Sequence, residues 1–330
     1  MNPRYYDLPH AFDHPVTCGM ALTVGALLVI APLIIFALSQ AGRISATRQA
    51  ELIQRTRSWY VLVFIMALPV LTGTVPTIAA VTALSLICFR EYARATGLHH
   101  ERLIMALVVI GILFANFAAL DNWYNFYSAL APLTVSVIAA GAILRDQPKG
   151  YIQRVGLGVF GFMFFGYSLA FLSLMANDGN YRPIILMLFL TTELNDIFAF
   201  ICGNLFGKSK LAPQTSHKKT MGGAVGAIVL TTMLVMGLGK LIFEGTNLDQ
   251  WNLLLTLGLI IGGVGQIGDL MLSSIKRDIG IKDFGTAIPG HGGVLDRFDS
   301  LVLVTPAVFH FINYYNGIAL DQPARIFTGG

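Results

Sequence analysis

Charge is what this sequence has least of. Asp, Glu, Lys and Arg together make up 12% of its 330 residues, about half the share of a soluble domain, which excludes an ordinary water-facing surface over most of the chain. Cysteine is also scarce: Cys18, Cys88 and Cys202 lie far apart in apolar surroundings. An odd number with no Cys-x-x-Cys pair excludes a disulfide framework and a cysteine zinc site, leaving packing as their role. Positive charge is missing where a cleaved leader would need it, since Arg4 is outnumbered by Asp7 and Asp13 ahead of the first apolar run. That run, 18–38, is longer than a signal core, so a retained span is expected. Internal repeats, heptads and low-complexity tracts are absent, and the net charge of +4 comes without a basic tract, so no nucleic-acid partner is expected.

What is there is apolar almost end to end: 55% of residues belong to the set AVILMFWYC. Ten stretches are candidates to cross a bilayer, 18–39, 58–72, 75–89, 103–120, 129–144, 155–175, 183–203, 222–242, 251–275 and 300–316, judged against the roughly 20 apolar residues a helical span requires. The expected fold is an all-α, polytopic membrane bundle of about ten helices. Residues 1–180 would supply a lipid-facing scaffold and 181–330 the region that carries chemistry.

The basic residues test that count. With loops assigned alternately to two sides, 18 of the 22 Lys and Arg residues fall in 40–57, 90–102, 145–154, 204–221 and 276–299. Lys/Arg-rich loops are cytoplasmic, so these five are predicted to face the cytoplasm and both termini to face outward. Loops 204–221 and 276–299 are long for a compact bundle and mix acids, bases and glycines, a mark of function.

Three acids fall inside apolar stretches: Glu193, Asp196 and Asp269. A carboxylate at that depth costs a few kcal/mol, so it faces a cavity or a partner. For Glu193, a helix–helix hydrogen bond serves as well as a functional role. Asp269 has more telling company: on a helix Asp269, Ser273 and Lys276 stand at i, i+4 and i+7, one polar stripe on an apolar cylinder. The stretch 251–275 would be about 37 Å long at about 1.5 Å per residue, which lets its end project with Asp269 in the inner part of the membrane and Lys276 at its surface.

The loop that follows reads Asp278 to Asp299, with Lys282, Asp283, Pro289-Gly290-His291-Gly292-Gly293, Asp296, Arg297 and Asp299. Acids can hold Mg2+, which prefers one or two carboxylates plus substrate phosphates. Bases neutralise phosphates, and the glycines let backbone N–H groups approach oxyanions.

These residues carry a resemblance. The run Ser273-x-Ile275-Lys276-Arg277, Lys282-Asp283, Pro289-Gly290-His291-Gly292-Gly293 and Asp296-Arg297-Phe298-Asp299 resembles the signature of the phosphatidate cytidylyltransferase (CDP-diglyceride synthetase) family. Upstream, Asn195-Asp196, Phe206-Gly207-Lys208-Ser209-Lys210-Leu211 and Ser216-His217-Lys218-Lys219-Thr220 are similar to the same family, whose loop reads Ser-Pro-Lys-Lys-Thr-x-Glu-Gly. His217 stands for the family's Pro and Gly222 for its Glu. A carboxylate restored at 222 would be expected beside Lys218 and Lys219, at the start of the next helix.

The resemblance implies transfer of CMP from CTP to phosphatidic acid, giving CDP-diacylglycerol and pyrophosphate, with Mg2+ and a second cation as cofactors. Asp269 and Asp296 are then expected as metal ligands, with Asp283 and Asp299 as further ligands or support. Lys276, Arg277, Lys282, Arg297, Lys218 and Lys219 would contact phosphates, Asp196 would complete the polar cavity, Ser273 would bind metal or phosphate, and His291 would assist or fix the loop. Membrane lipids are expected partners; the oligomeric state, a homodimer included, is left open. Two other readings remain: a CTP-dependent enzyme acting on another lipid, such as a polyprenol kinase, and an ion-coupled transporter using Asp196 and Asp269.

Overall fold

The computed structural model describes residues 4–288 and 292–329. All ten predicted stretches are helical. They form α1 (Pro15–Gln40), α2 (Ala46–Thr72), α3 (Thr74–Ala95), α4 (Arg102–Leu120), α5 (Tyr124–Ile143), α6 (Tyr151–Gly161) and α7 (Leu169–Met175). There follow α8 (Tyr181–Phe206), α9 (Met221–Ile242), α10 (Trp251–Asp278) and α11 (Asp299–Asn316). A π-helical turn, Phe162–Ser168, joins α6 and α7 into one continuous span, 151–175.

Eight of the ten are long and apolar enough to cross a membrane; α2 and α11 complete the bundle. The predicted span 58–72 is only the second half of α2. Its first half, with Arg48, Glu51, Arg55 and Arg57, is a polar helical extension capped by Ser45, whose hydroxyl accepts the N–H of Arg48 at 3.3 Å. The protein is a polytopic helical membrane protein, and its exposed apolar side chains, from Leu22 to Phe36 on α1 and beyond, face where lipid would be.

Contacts between loops agree with the alternation read from the basic residues. At the end that carries both termini, Arg4 donates to Leu120 O at 2.8 Å and to Asn177 Oδ1 at 2.9 Å. There too Arg182 pairs with Asp7 at 2.8 Å and Asn247 donates to Tyr315 O at 3.0 Å. At the opposite end Arg145 pairs with Glu101 at 2.5 Å, Ser39 donates to Gln49 at 2.7 Å and Arg277 donates to Thr215 O at 3.3 Å. Each contact joins loops, or the helix ends next to them, on one assigned side.

Glycines set how close the last helices come. A Cβ at Gly258 or Gly262 of α10 would lie 2.6 Å or 3.0 Å from backbone atoms of Thr232 or Ile228 on α9. One at Gly268 would lie 3.1 Å from backbone atoms of Asp299 and Ser300 on α11. Small residues let membrane helices approach backbone to backbone; here they bring the Asp269 turn of α10 against the acidic start of α11.

Loop 204–221 is not irregular. It folds as an antiparallel hairpin, β1 (Lys210–Ala212) and β2 (Ser216–Thr220), with Lys210 opposite Thr220 and Ala212 opposite Ser216. Thr220 then caps α9, its hydroxyl accepting the N–H of Gly223 at 3.1 Å.

Candidate active site

The polar stripe on α10 forms as its spacing predicts. Ser273 donates to Asp269 Oδ1 at 3.1 Å, and Lys276 follows one turn on. The hairpin then supplies a counter-charge: Lys219 Nζ lies 2.5 Å from Asp269 Oδ2 and donates to Gln266 Oε1 at 3.1 Å. Because neighbouring residues of a strand face opposite ways, Lys218 is exposed while Lys219 points in. The two lysines expected to act together are therefore divided, one at the site and one toward solvent.

Three carboxylates from three helices share this neighbourhood. Asp196 of α8, Asp269 of α10 and Asp299 of α11 are close enough to interact electrostatically, with Lys219, Lys276 and Arg297 as the bases among them. Asp299 accepts the Ser300 N–H at 2.7 Å. A narrow cleft is lined by Glu193, Asp196, Arg297, Asp299 and Ser300, with Met66 of α2 and Phe189 closing it. The Arg297 side chain makes no hydrogen bond among the described residues, and its Nε is buried without a partner there. Glu193 thus belongs to the polar cleft rather than to a private helix–helix bond.

Asp296 stands apart from that cluster. Its Oδ1 takes Lys276 Nζ at 2.8 Å, and its Oδ2 accepts the N–H groups of Phe284 at 2.8 Å and Gly293 at 2.9 Å. Both partners of the ion pair are only 8% exposed. These bonds hold the loop closed around Asp296, the expected metal ligand, with Lys276 as its counter-charge. Asp283 is exposed beside the same loop, its Cβ and Cγ packed near Gly292, and Lys282 is exposed as well. Arg277 spends its guanidinium on Thr215 O and on Ile281 O at 3.0 Å, tying hairpin to helix end. His291 lies outside the described residues. Among those described, no three His, Cys, Asp or Glu side chains form a metal cage.

One residue of the site was not foreseen. Glu91 on α3 accepts the N–H groups of Val294 at 3.1 Å and Leu295 at 2.8 Å. Gly285 and Gly293 crowd against it so closely that a Cβ on Gly285 would lie 2.7 Å from Glu91 Oε1. In sequence Glu91 is one acid among the bases of loop 90–102, and nothing local marks it. The helices read as scaffold therefore reach the site through Glu91 and Met66.

Beside the site runs a groove enclosing ≈ 1140 Å³ of open space, lined by Ala50, Ile53, Gln54, Arg57, Val61 and Ile288. It is apolar with one basic group, Arg57, near the loop-bearing end of α2.

The arrangement is suited to polyanions: several bases, a carboxylate cluster, and a glycine-bearing loop pinned by two acids. Comparison with known proteins agrees. Residues 53–315 match the cytidylyltransferase family. The chain is 31% identical over 298 residues to "Uncharacterized protein YnbB" of Escherichia coli, covering 88% of this chain and 97% of that protein. It is 34% identical over 185 residues to a phosphatidate cytidylyltransferase of Staphylococcus saprophyticus, covering 56% of this chain and 69% of the relative. Against the Staphylococcus aureus phosphatidate cytidylyltransferase the identity is 43% over 122 residues, 37% of this chain and 46% of the relative. The family match spans most of the chain, and with it the helices, hairpin and loop just described: this protein is a nucleotidyltransferase belonging to the cytidylyltransferase family.

Proposed function

We propose that this enzyme is a phosphatidate cytidylyltransferase, transferring CMP from CTP to phosphatidic acid with release of pyrophosphate. The observation that carries the reading is the convergence of Asp196, Asp269 and Asp299 with Lys219, Lys276 and Arg297 at one end of a membrane bundle. There a soluble triphosphate and a lipid headgroup can meet. The apolar groove at Arg57 supports an amphiphilic acceptor.

In this reaction a phosphate oxygen of phosphatidate bonds to the α-phosphorus of CTP as the bond from that phosphorus to the bridging oxygen breaks. The nucleophile is already anionic, so no strong base is required. The barrier lies in bringing polyanions together, and catalysis is positioning plus charge neutralisation. Arg297 lines the cleft and Lys219 pairs with Asp269, while Lys276, locked to Asp296, fixes the loop's approach. Mg2+ would be held by one or two carboxylates of the set Asp196, Asp269 and Asp299 together with substrate phosphates, an arrangement that needs no complete protein cage. Bound there, it would neutralise charge on the triphosphate. The Lys-rich loops, and with them this site, are assigned to the cytoplasmic face.

The test is direct. Purified protein in detergent micelles, given labelled CTP, phosphatidic acid and Mg2+, should yield CDP-diacylglycerol and pyrophosphate. Labelling of polyprenyl phosphate in place of phosphatidic acid would overturn the acceptor. Failure to transfer CMP to any lipid phosphate would overturn the reaction.

A further inference from the structure

Two buried amides sit near one another in the last helices, and their fates differ. Asn195 on α8 is fully used: its Nδ2 donates to Gly262 O at 3.2 Å, and its Oδ1 accepts from Thr231 at 3.1 Å. Gln266 on α10 is 4% exposed and only half used. Its Oε1 accepts from Lys219 at 3.1 Å, but its Nε2 is buried with no partner among the described residues.

The orientation of that amide is forced. An ammonium group only donates, so the oxygen of Gln266 must face Lys219 and the NH2 must face away. Turning the side chain over would set an NH2 against an ammonium, and would still leave one end unmatched. A buried donor without an acceptor costs stability, whereas an apolar side chain of the same shape costs none. A helix face that needed only packing would not place a glutamine here.

Position explains what the donor is for. Gln266 precedes Asp269 by three residues, so the two share a face of α10, and Lys219 bridges them at 3.1 Å and 2.5 Å. The amide therefore sits at the carboxylate and ammonium that form the polar centre of the site, with its NH2 turned away from Lys219. The other unpaired buried donor of that region, Arg297 Nε, belongs to the cleft next to it. Donors left unmatched around a cluster that handles phosphates call for phosphate oxygens.

We infer that Gln266 is a substrate-contacting residue whose NH2 donates a hydrogen bond to a phosphate oxygen, supplied by CTP or by the acceptor lipid. The inference rests on the reading of the site as a phosphate-transfer centre, but it concerns binding and can be tested without turnover.

Two variants separate this role from a structural one. Gln266→Met removes both ends of the amide at nearly constant volume. Gln266→Glu keeps an acceptor for Lys219 and removes only the donor. Each full-length variant, in detergent micelles, is titrated once with CTP and Mg2+ and once with phosphatidic acid, and its thermal unfolding is recorded. The expected result is that both variants unfold within a few degrees of the parent and that both weaken one of the two ligands about tenfold or more. Gln266→Glu should be the worse, because its charge repels phosphate. Weakening confined to CTP makes the nucleotide the source of the oxygen; weakening confined to phosphatidic acid makes it the lipid. If Gln266→Glu binds both ligands like the parent while Gln266→Met does not, the glutamine merely steadies Lys219 and the inference falls. Parent-like binding by both variants overturns it equally. Should Gln266→Met fail to fold, Gln266→Glu alone decides. A parent that binds CTP but transfers nothing to phosphatidic acid would remove the proposed acceptor and leave the CTP titration to judge Gln266.

Discussion

The two ends of the bundle use charge differently. At the end bearing the termini, the buried and half-buried acids are answered by fixed partners of the chain itself. Arg182 grips Asp7, Arg4 reaches Leu120 O and Asn177, and Asp178 accepts the N–H of Asn180 at 2.8 Å and of Ala319 at 3.2 Å. Asp121 takes the tail of the chain, accepting from Phe327 N at 2.5 Å and from the hydroxyl and N–H of Thr328 at 2.5 Å and 3.2 Å. At the loop-bearing end Asp296, Glu91, Asp269 and Glu101 have fixed partners as well. Asp196, Asp299, Arg297 and half of Gln266 are held among one another with valences to spare. What sets the loop-bearing end apart is the gathering of carboxylates from three helices around shared bases.

That contrast can be broken residue by residue. The largest effect on stability should come from Asp296→Ala. It leaves Lys276 buried without its partner and frees two N–H groups, a loss of about 3 kcal/mol or more, visible as a lowered melting temperature together with lost activity. Gly222→Glu comes next. A Cβ there would sit 2.6 Å from Phe206 O and 2.8 Å from Phe206 C, so the side chain meets the backbone at the end of α8. The expectation that a restored carboxylate would simply lie beside the hairpin lysines is thereby overturned: the cost is about 2 kcal/mol of overpacking, whichever acceptor is offered.

Removing the Asp7 partner with Arg182→Ala should cost about 1–2 kcal/mol while leaving kcat per folded molecule unchanged; a fall in kcat would erase the distinction between the two ends. Glu91→Gln should do the reverse. The amide keeps one acceptor but turns a donor toward a backbone N–H, loosening the loop, so kcat should fall about tenfold, 1.4 kcal/mol in barrier, with a small change in melting. The mildest test is pH. Burial works against the Asp121 carboxylate, but the Thr328 hydroxyl and the N–H groups of Phe327 and Thr328 prevail and hold its pKa below the ordinary 3.8. A lowered native pKa stabilises the folded form above the ordinary value, and that stability is lost as pH falls through the native one. Limited acid proteolysis should therefore release the tail only well below pH 4, and release already at neutral pH would deny the clamp.

Much of this was legible in the sequence for a physical reason. Apolar runs and basic loops are set by the membrane, which acts locally, so ten helices and their alternation could be read directly. The i, i+4, i+7 stripe of Asp269, Ser273 and Lys276 is equally local. What was hidden is long-range. Glu91 meets a loop 203 residues away, and Asp296 is tied to Phe284 and Lys276 across 12 and 20 residues. Strand formation at Ser216–Thr220, which turns Lys218 away from Lys219, left no apolar alternation to read. The polar first half of α2 was missed because it continues the helix beyond the apolar layer.

The claim that the carboxylate cluster at the loop-bearing end performs the chemistry rests most heavily on Asp269. Changing it to Asn alters almost no volume and keeps an amide oxygen that can accept from Lys219 or Ser273, so the fold should survive. Measured side by side with the parent in micelles, Asp269→Asn should melt within a few degrees and transfer CMP at less than about one hundredth of the parental rate, 2.7 kcal/mol in barrier. Retention of more than about a tenth of that rate by the folded variant, 1.4 kcal/mol or less, would contradict the account.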